Sequence, residues 1–126
     1  MFSSLVGART WLFGRSKSFG FALHGLFLLF LESNAKIHFA ATLAAVLGGL
    51  CARISGVEWA LVVFAIGAVW AAEAINTAIE LLADAAVPDR HPLVGAAKDV
   101  AASAVLIAAI SAAVVGAIVF LPRLAG

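Results

Sequence analysis

The 126-residue chain has no tyrosine, one cysteine, three prolines and little charge, with 12% of its residues Asp, Glu, Lys or Arg. Each shortage excludes something. Cys51 stands alone, so the chain cannot close an internal disulfide or build a cysteine metal cluster, and the residue reads as a small apolar side chain near a helix end. The eight Lys and Arg are scattered, the net charge is +1, and no basic patch is interleaved with aromatics, so no nucleic-acid partner is expected. No Gly-x-Gly-x-x-Gly occurs. The run from Gly7 to Ser16 has only a superficial likeness to a phosphate loop, because six residues rather than four separate Gly7 from Gly14, and Arg15 stands where a lysine is needed. Arg9, Arg15 and Lys17 come early, but no cleavable small-residue site follows a short apolar core, so the chain is read as mature.

What the chain has in quantity is apolar surface, at 64% of residues. A soluble domain of this size needs more polar surface, so the composition predicts a single small membrane domain over 1–126. Ile37 to Ile54, Trp59 to Leu82 and Val100 to Leu121 are nearly uninterrupted runs of apolar and small residues. At about 1.5 Å per residue they reach roughly 27, 36 and 33 Å, enough to cross a hydrocarbon core of about 30 Å. The expectation is an all-α membrane protein with three transmembrane helices, whose Ala and Gly suit close helix packing in lipid. Turns fall at Arg53–Glu58 and at Pro88–Pro92. Ser18 to Leu31, broken only by His24, is too short to span, and is assigned to an N-terminal interfacial amphipathic helix. Trp59 reads as an interface anchor and Trp70 as a lipid-facing or packing residue; Arg53 and Glu58 read as a solvated outer turn.

Positive charge then sets orientation. Arg9, Arg15, Lys17, Lys36, Arg90 and Lys98 fall on one side of this topology, and Arg53 and Arg123 on the other. The excess places the N-terminus and the Pro88 loop in the cytoplasm.

Within the second span, Glu73, Asn76, Glu80 and Asp84 share one stripe of a helix. Carboxylates in hydrocarbon cost on the order of 2.5–3.5 kcal/mol each on insertion scales, so they are usually functional. The topology also brings Glu32, Asn34, Lys36 and His38, at the start of the first span, to the level of Glu80, Asp84, Lys98 and Asp99. Polar groups from all three spans meet at one interface, open to a water-soluble reagent on one side and a lipid head group on the other. Carboxylates, an amide and a lysine suit Mg²⁺, which commonly bridges one or two carboxylates to substrate phosphates. Lys98 would then sit on phosphate oxygens, and Glu73, nearer the membrane interior, would be the proton acceptor. These parts fit phosphoryl transfer to a lipid hydroxyl. Lys98 and Asp99 also read as a solvated helix start, with Asp99 favoured by the helix dipole.

The run Glu73-Ala-Ile-Asn76-Thr77-Ala-Ile-Glu80, then Asp84, His91-Pro92 and Ala97-Lys98-Asp99-Val100-Ala101-Ala102, closely resembles the prokaryotic diacylglycerol kinase family, which includes undecaprenol kinases. Glu32-Ser-Asn34-Ala-Lys36-Ile-His38 and Ser18-Phe19 with Gly25 extend the likeness, which covers roughly Ser18 to Leu121. The resemblance implies an ATP- and Mg²⁺-dependent lipid kinase of a bacterial cytoplasmic membrane. Its fold would be a homotrimer of three-span subunits with active sites between subunits. It implies Glu73 as general base, Asn76 as its polar neighbour, and Glu32 and Glu80 as magnesium ligands. Ser18, Asp84, Asp89, Arg90, His91, Lys98 and Asp99 would contact nucleotide along with Glu32 and Glu80. Asn34, Lys36 and His38 would lie on the lipid-substrate side with Glu73. His38 departs from the branch with an acid there, and the Asn34, Lys36, His38 pattern looks more like the branch typical of Gram-positive bacteria, whose preferred substrate tends to be undecaprenol.

A rival from another class is a small ion-translocating or regulatory membrane subunit using Glu73 as a proton-binding carboxylate. It explains a buried acid and leaves the crowding of polar groups at one end unexplained.

Overall fold

The structure is a computed structural model, describing the backbone from Ala8 onward and side chains from Lys17 onward. The Gly7–Ser16 run and the charges of Arg9 and Arg15 lie outside the described side chains. Four helices follow in order: α1 (Ala8–Leu31), α2 (Ser33–Ala52), α3 (Gly56–Ala86) and α4 (Pro92–Ala125). The chain divides into two compact units, one ending at Glu32 and the other running from Ser33 to Gly126.

In the first unit α1 is a single 24-residue helix, longer than the segment expected from Ser18 to Leu31. The Glu32 N–H donates to the Leu29 carbonyl at 3.1 Å and closes its last turn. Among the described side chains of α1, the segregated polar face expected of an amphipathic helix is missing. Phe19, Phe21, Leu23, Phe27, Leu28 and Leu31 are exposed, and at about 100° per residue they cover an arc of roughly 200° that also contains His24. After Lys17, Ser18 and His24 are too few and too scattered to make a polar face.

In the second unit α2, α3 and α4 are each long and apolar enough to cross a membrane. α2 begins four residues before the expected Ile37 and ends two before Ile54, while α3 and α4 overrun their expected spans at both ends. The overruns have local causes. Ser55 caps α3: its side chain accepts from the Glu58 N–H at 3.2 Å, and the Glu58 carboxylate accepts from the Ser55 N–H at 3.0 Å. This reciprocal capping box starts α3 at Gly56, ahead of the apolar run. At the head of α4, His91 Nδ1 accepts from the Leu93 N–H at 3.2 Å, and Pro92 occupies the first turn, where its missing N–H costs nothing. Arg53 takes a positive φ of 52° in the tight turn between α2 and α3.

Ion pairs at opposite ends fix α3 and α4 as antiparallel neighbours. Lys98 near the start of α4 meets Asp84 near the end of α3, and Arg123 near the end of α4 meets Glu58 in the first turn of α3. α2 packs against both. Ile54, Val62 and Val119 form the core, with Trp59, Ile66, Val115 and Phe120 packed around them, all in the half of the bundle nearer Glu58. Trp59, expected as an interface anchor, is half-buried beside the core, its ring closing over Gly49. Outside this core the helices expose large apolar side chains along their length, among them Phe64, Val100, Ile107 and Ile118. Such a surface far exceeds the few hundred Å² of apolar patch that a soluble monomer shows, and it suits lipid or neighbouring helices.

Candidate active site

The polar residues gather at the end of the bundle away from that core. Glu73 sits a little past the middle of α3 and is 2% exposed. Its Oε2 shares a hydrogen bond with His38 Nε2 at 3.1 Å, across to the second turn of α2. With Glu73 ionised, as a base requires, the carboxylate can only accept, and the imidazole would carry its proton on Nε2. His38 is itself supported. The Thr42 hydroxyl, one turn on, donates to the His38 carbonyl at 2.7 Å and accepts from Trp70 Nε1 at 2.9 Å. The Trp70 ring stands edge-on to the imidazole, with centroids 5.8 Å apart at 65°. Trp70 and Glu73 are three residues apart and so share the face of α3 turned to α2.

Asn76, 6% exposed, lies one turn beyond Glu73, and its Nδ2 donates to Glu80 Oε1 at 3.4 Å. Its Oδ1 is buried with no hydrogen-bond partner. Buried acceptors are nearly always satisfied, so this oxygen marks a place where a donor is missing. Glu80 and Asp84 follow on the same stripe but are exposed. Lys98 Nζ donates to Asp84 Oδ1 at 2.6 Å, joining α4 to the stripe.

The structure therefore brings together His38, Glu73, Asn76 and Glu80 in one group, and Asp84 with Lys98 in another. Asn34, Lys36, Asp89, Arg90 and Asp99 are exposed and make no hydrogen bond or ion pair with another of the expected site residues. His91 is engaged as the cap of α4. Glu32 and Ser18 belong to the first unit. Thr42 and Trp70, which hold His38 in place, went unassigned as site residues in the sequence; their spacing of i+4 from His38 and i−3 from Glu73 is the signal that points to them.

Below this group an apolar groove of about 370 Å³ runs between α2, α3 and α4, from Ile37 and His38 past Val69 and Ala112 to Phe120. Of the polar group, His38 lines this groove together with Thr42, and Glu73 is joined to it through its hydrogen bond with His38.

The model for prokaryotic diacylglycerol kinase matches residues 20–120. The chain belongs to the prokaryotic diacylglycerol kinase family. It is 39% identical over 93 residues to an undecaprenol kinase of Bacillus subtilis, covering 74% of this chain and 76% of that one. It is 34% identical over 109 residues to a diacylglycerol kinase of Synechocystis, covering 85% of this chain and 62% of that longer protein. No solved structure is a significant match. Membership in a family of lipid kinases sets aside the ion-translocating reading, and it implies ATP as phosphoryl donor.

The side chains fit the metal that such a reaction uses. Mg²⁺ prefers oxygen ligands, keeps several waters and needs only one or two carboxylates beside the substrate phosphates. Glu80 offers such a carboxylate at the polar end, hydrogen-bonded to Asn76. Among the described residues no three His, Cys, Asp or Glu gather into a metal-holding group.

Proposed function

We propose that this protein transfers the γ-phosphoryl group of Mg-ATP to the hydroxyl of a membrane lipid alcohol, either diacylglycerol or undecaprenol. The observation that carries this reading is Glu73: a carboxylate 2% exposed inside an apolar helix, tied to His38, which lines an apolar groove. Burial of this kind is costly, and a general base beside a lipid-sized slot gives it a purpose.

In this reading the lipid tail lies along the groove and its hydroxyl meets Glu73. The carboxylate takes the hydroxyl proton as the lipid oxygen bonds to the γ-phosphorus. The bond from phosphorus to the bridging oxygen breaks, and its electron pair leaves with ADP. Asn76, whose Oδ1 lacks a donor, orients the hydroxyl or a water beside it. Glu32 and Glu80 would hold Mg²⁺, which neutralises phosphate charge when bound. Lys98 reaches phosphate oxygens by exchanging its exposed Asp84 partner for them. Ser18, Asp84, Asp89, Arg90, His91 and Asp99 complete the nucleotide side, and Asn34, Lys36 and His38 flank the lipid.

The same reading places the enzyme in the cytoplasmic membrane of a bacterium as one multi-pass kinase domain over 1–126. The Lys98 end faces the cytoplasm, α1 lies at the interface, and three copies assemble with sites between them. Exposed apolar faces on every spanning helix leave room for such partners. The higher identity to an undecaprenol kinase, at 39%, and the Asn34, Lys36, His38 pattern favour undecaprenol as acceptor. The test is a side-by-side assay of purified protein in mixed micelles with each lipid at saturating Mg-ATP. Phosphorylation of either lipid supports the reading, and turnover of neither overturns it.

A further inference from the structure

The bonding around Glu73 separates two roles for His38, one in contact with the lipid and one behind the base. Three observations bear on the choice. The Nε2 of His38 is already committed to Glu73 Oε2 at 3.1 Å, and the His38 side chain is 15% exposed. The ring is held edge-on by Trp70, whose indole N–H is anchored on Thr42. Thr42 in turn bonds the carbonyl of His38 itself, closing a loop that returns to the residue it started from. A side chain whose purpose is to follow a mobile lipid head group does not need its backbone, its ring edge and its reactive nitrogen all fixed.

We infer that His38 is a positioning residue: with Thr42 and Trp70 behind it, it fixes one oxygen of the Glu73 carboxylate so that the other faces the lipid hydroxyl. The inference rests on the reading of Glu73 as general base and assigns the parts that aim it. A glutamate carboxylate sits at the end of three rotatable bonds, and a base displaced by about 1 Å can lose on the order of 100-fold in rate. Hydrogen-bond partners behind an active group characteristically matter at about 10- to 100-fold. No proton need pass to His38 for this role, because the Nε2–H donates to Glu73 before the transfer and the alcohol proton goes to the carboxylate.

The test uses the full chain in mixed micelles and compares His38→Gln with His38→Asn. The glutamine amide nitrogen reaches about as far as imidazole Nε2, whereas that of asparagine stops near Nδ1, so only the first can donate to Glu73. Expected is a kcat within about 5-fold of wild type for His38→Gln and lower by about 10- to 100-fold for His38→Asn, with KM for lipid and Mg-ATP within about 2-fold in both. Removing the indole N–H with Trp70→Phe should lower kcat with the same unchanged KM values. A raised lipid KM at intact kcat in His38→Asn would return His38 to lipid contact and overturn the inference. Equal kcat in the glutamine and asparagine variants would overturn it as well. Glu73→Gln, run beside them, keeps the two claims apart. If it is inactive while His38→Asn matches wild type, only the positioning role fails; if it is fully active, the base assignment itself fails.

Discussion

Replacing Glu73 with glutamine isolates the chemistry of the carboxylate from its packing. The two side chains have the same shape, and glutamine Oε1 can still accept from His38 Nε2 where Oε2 now does at 3.1 Å. What is lost is basicity. General-base catalysis contributes about 10²–10⁴ in rate, so kcat should fall by that factor, equivalent to about 2.7–5.5 kcal/mol on the barrier at about 1.36 kcal/mol per tenfold. KM for Mg-ATP should stay within about 2-fold, because the nucleotide side begins at Glu80, two turns away. Stability should not suffer. The variant sheds an insertion cost of about 2.5–3.5 kcal/mol for a buried carboxylate. In exchange, a charge-assisted hydrogen bond of about 1.5–3 kcal/mol becomes a neutral one of about 0.5–1.5 kcal/mol. The assay is coupled ADP release in micelles with each lipid, paired with a thermal unfolding midpoint in the same detergent. A kcat within about 3-fold of wild type in a folded Glu73→Gln protein would refute the assignment. So would a loss of activity accompanied by a collapsed unfolding midpoint, since the effect would then be structural.

Lys98→Met should raise the KM for Mg-ATP by about 10-fold or more while moving stability by less than about 1 kcal/mol, because its pair with Asp84 is exposed; a Michaelis series and an unfolding curve check both. Gly49→Ala should destabilise the bundle by about 1–3 kcal/mol without changing kcat at low temperature. The added Cβ would come within 2.6 Å of the Trp59 ring, at the end of the bundle away from Glu73, and thermal inactivation rates of the variant and wild type measure the effect.

The spans were legible because hydrocarbon length leaves an unmistakable mark: long apolar runs with turns at Arg53 and Pro88. Their ends were less so, since capping rather than hydropathy sets them. The Ser55–Glu58 box carries α3 back to Gly56, and His91 with Pro92 starts α4 well ahead of its apolar stretch. The acidic stripe of α3 was legible as a face, but its inner structure was not. Glu73 and Asn76 are buried whereas Glu80 and Asp84 are exposed, a distinction set by where α2 crosses α3. The His38–Glu73 contact depends on the rotation of α2 about its own axis, which no spacing within either helix encodes. The polar face expected of α1 did not follow from its length and basic flank, because Ser18 and His24 are its few polar side chains after Lys17.

The most direct measurement follows labelled γ-phosphate from ATP into the lipid extract of micelles containing the purified protein. The account expects label in phosphorylated diacylglycerol or undecaprenol, dependent on added Mg²⁺ and nearly abolished by Glu73→Gln. Label released only as inorganic phosphate, or lipid labelling that survives the glutamine substitution, would contradict it.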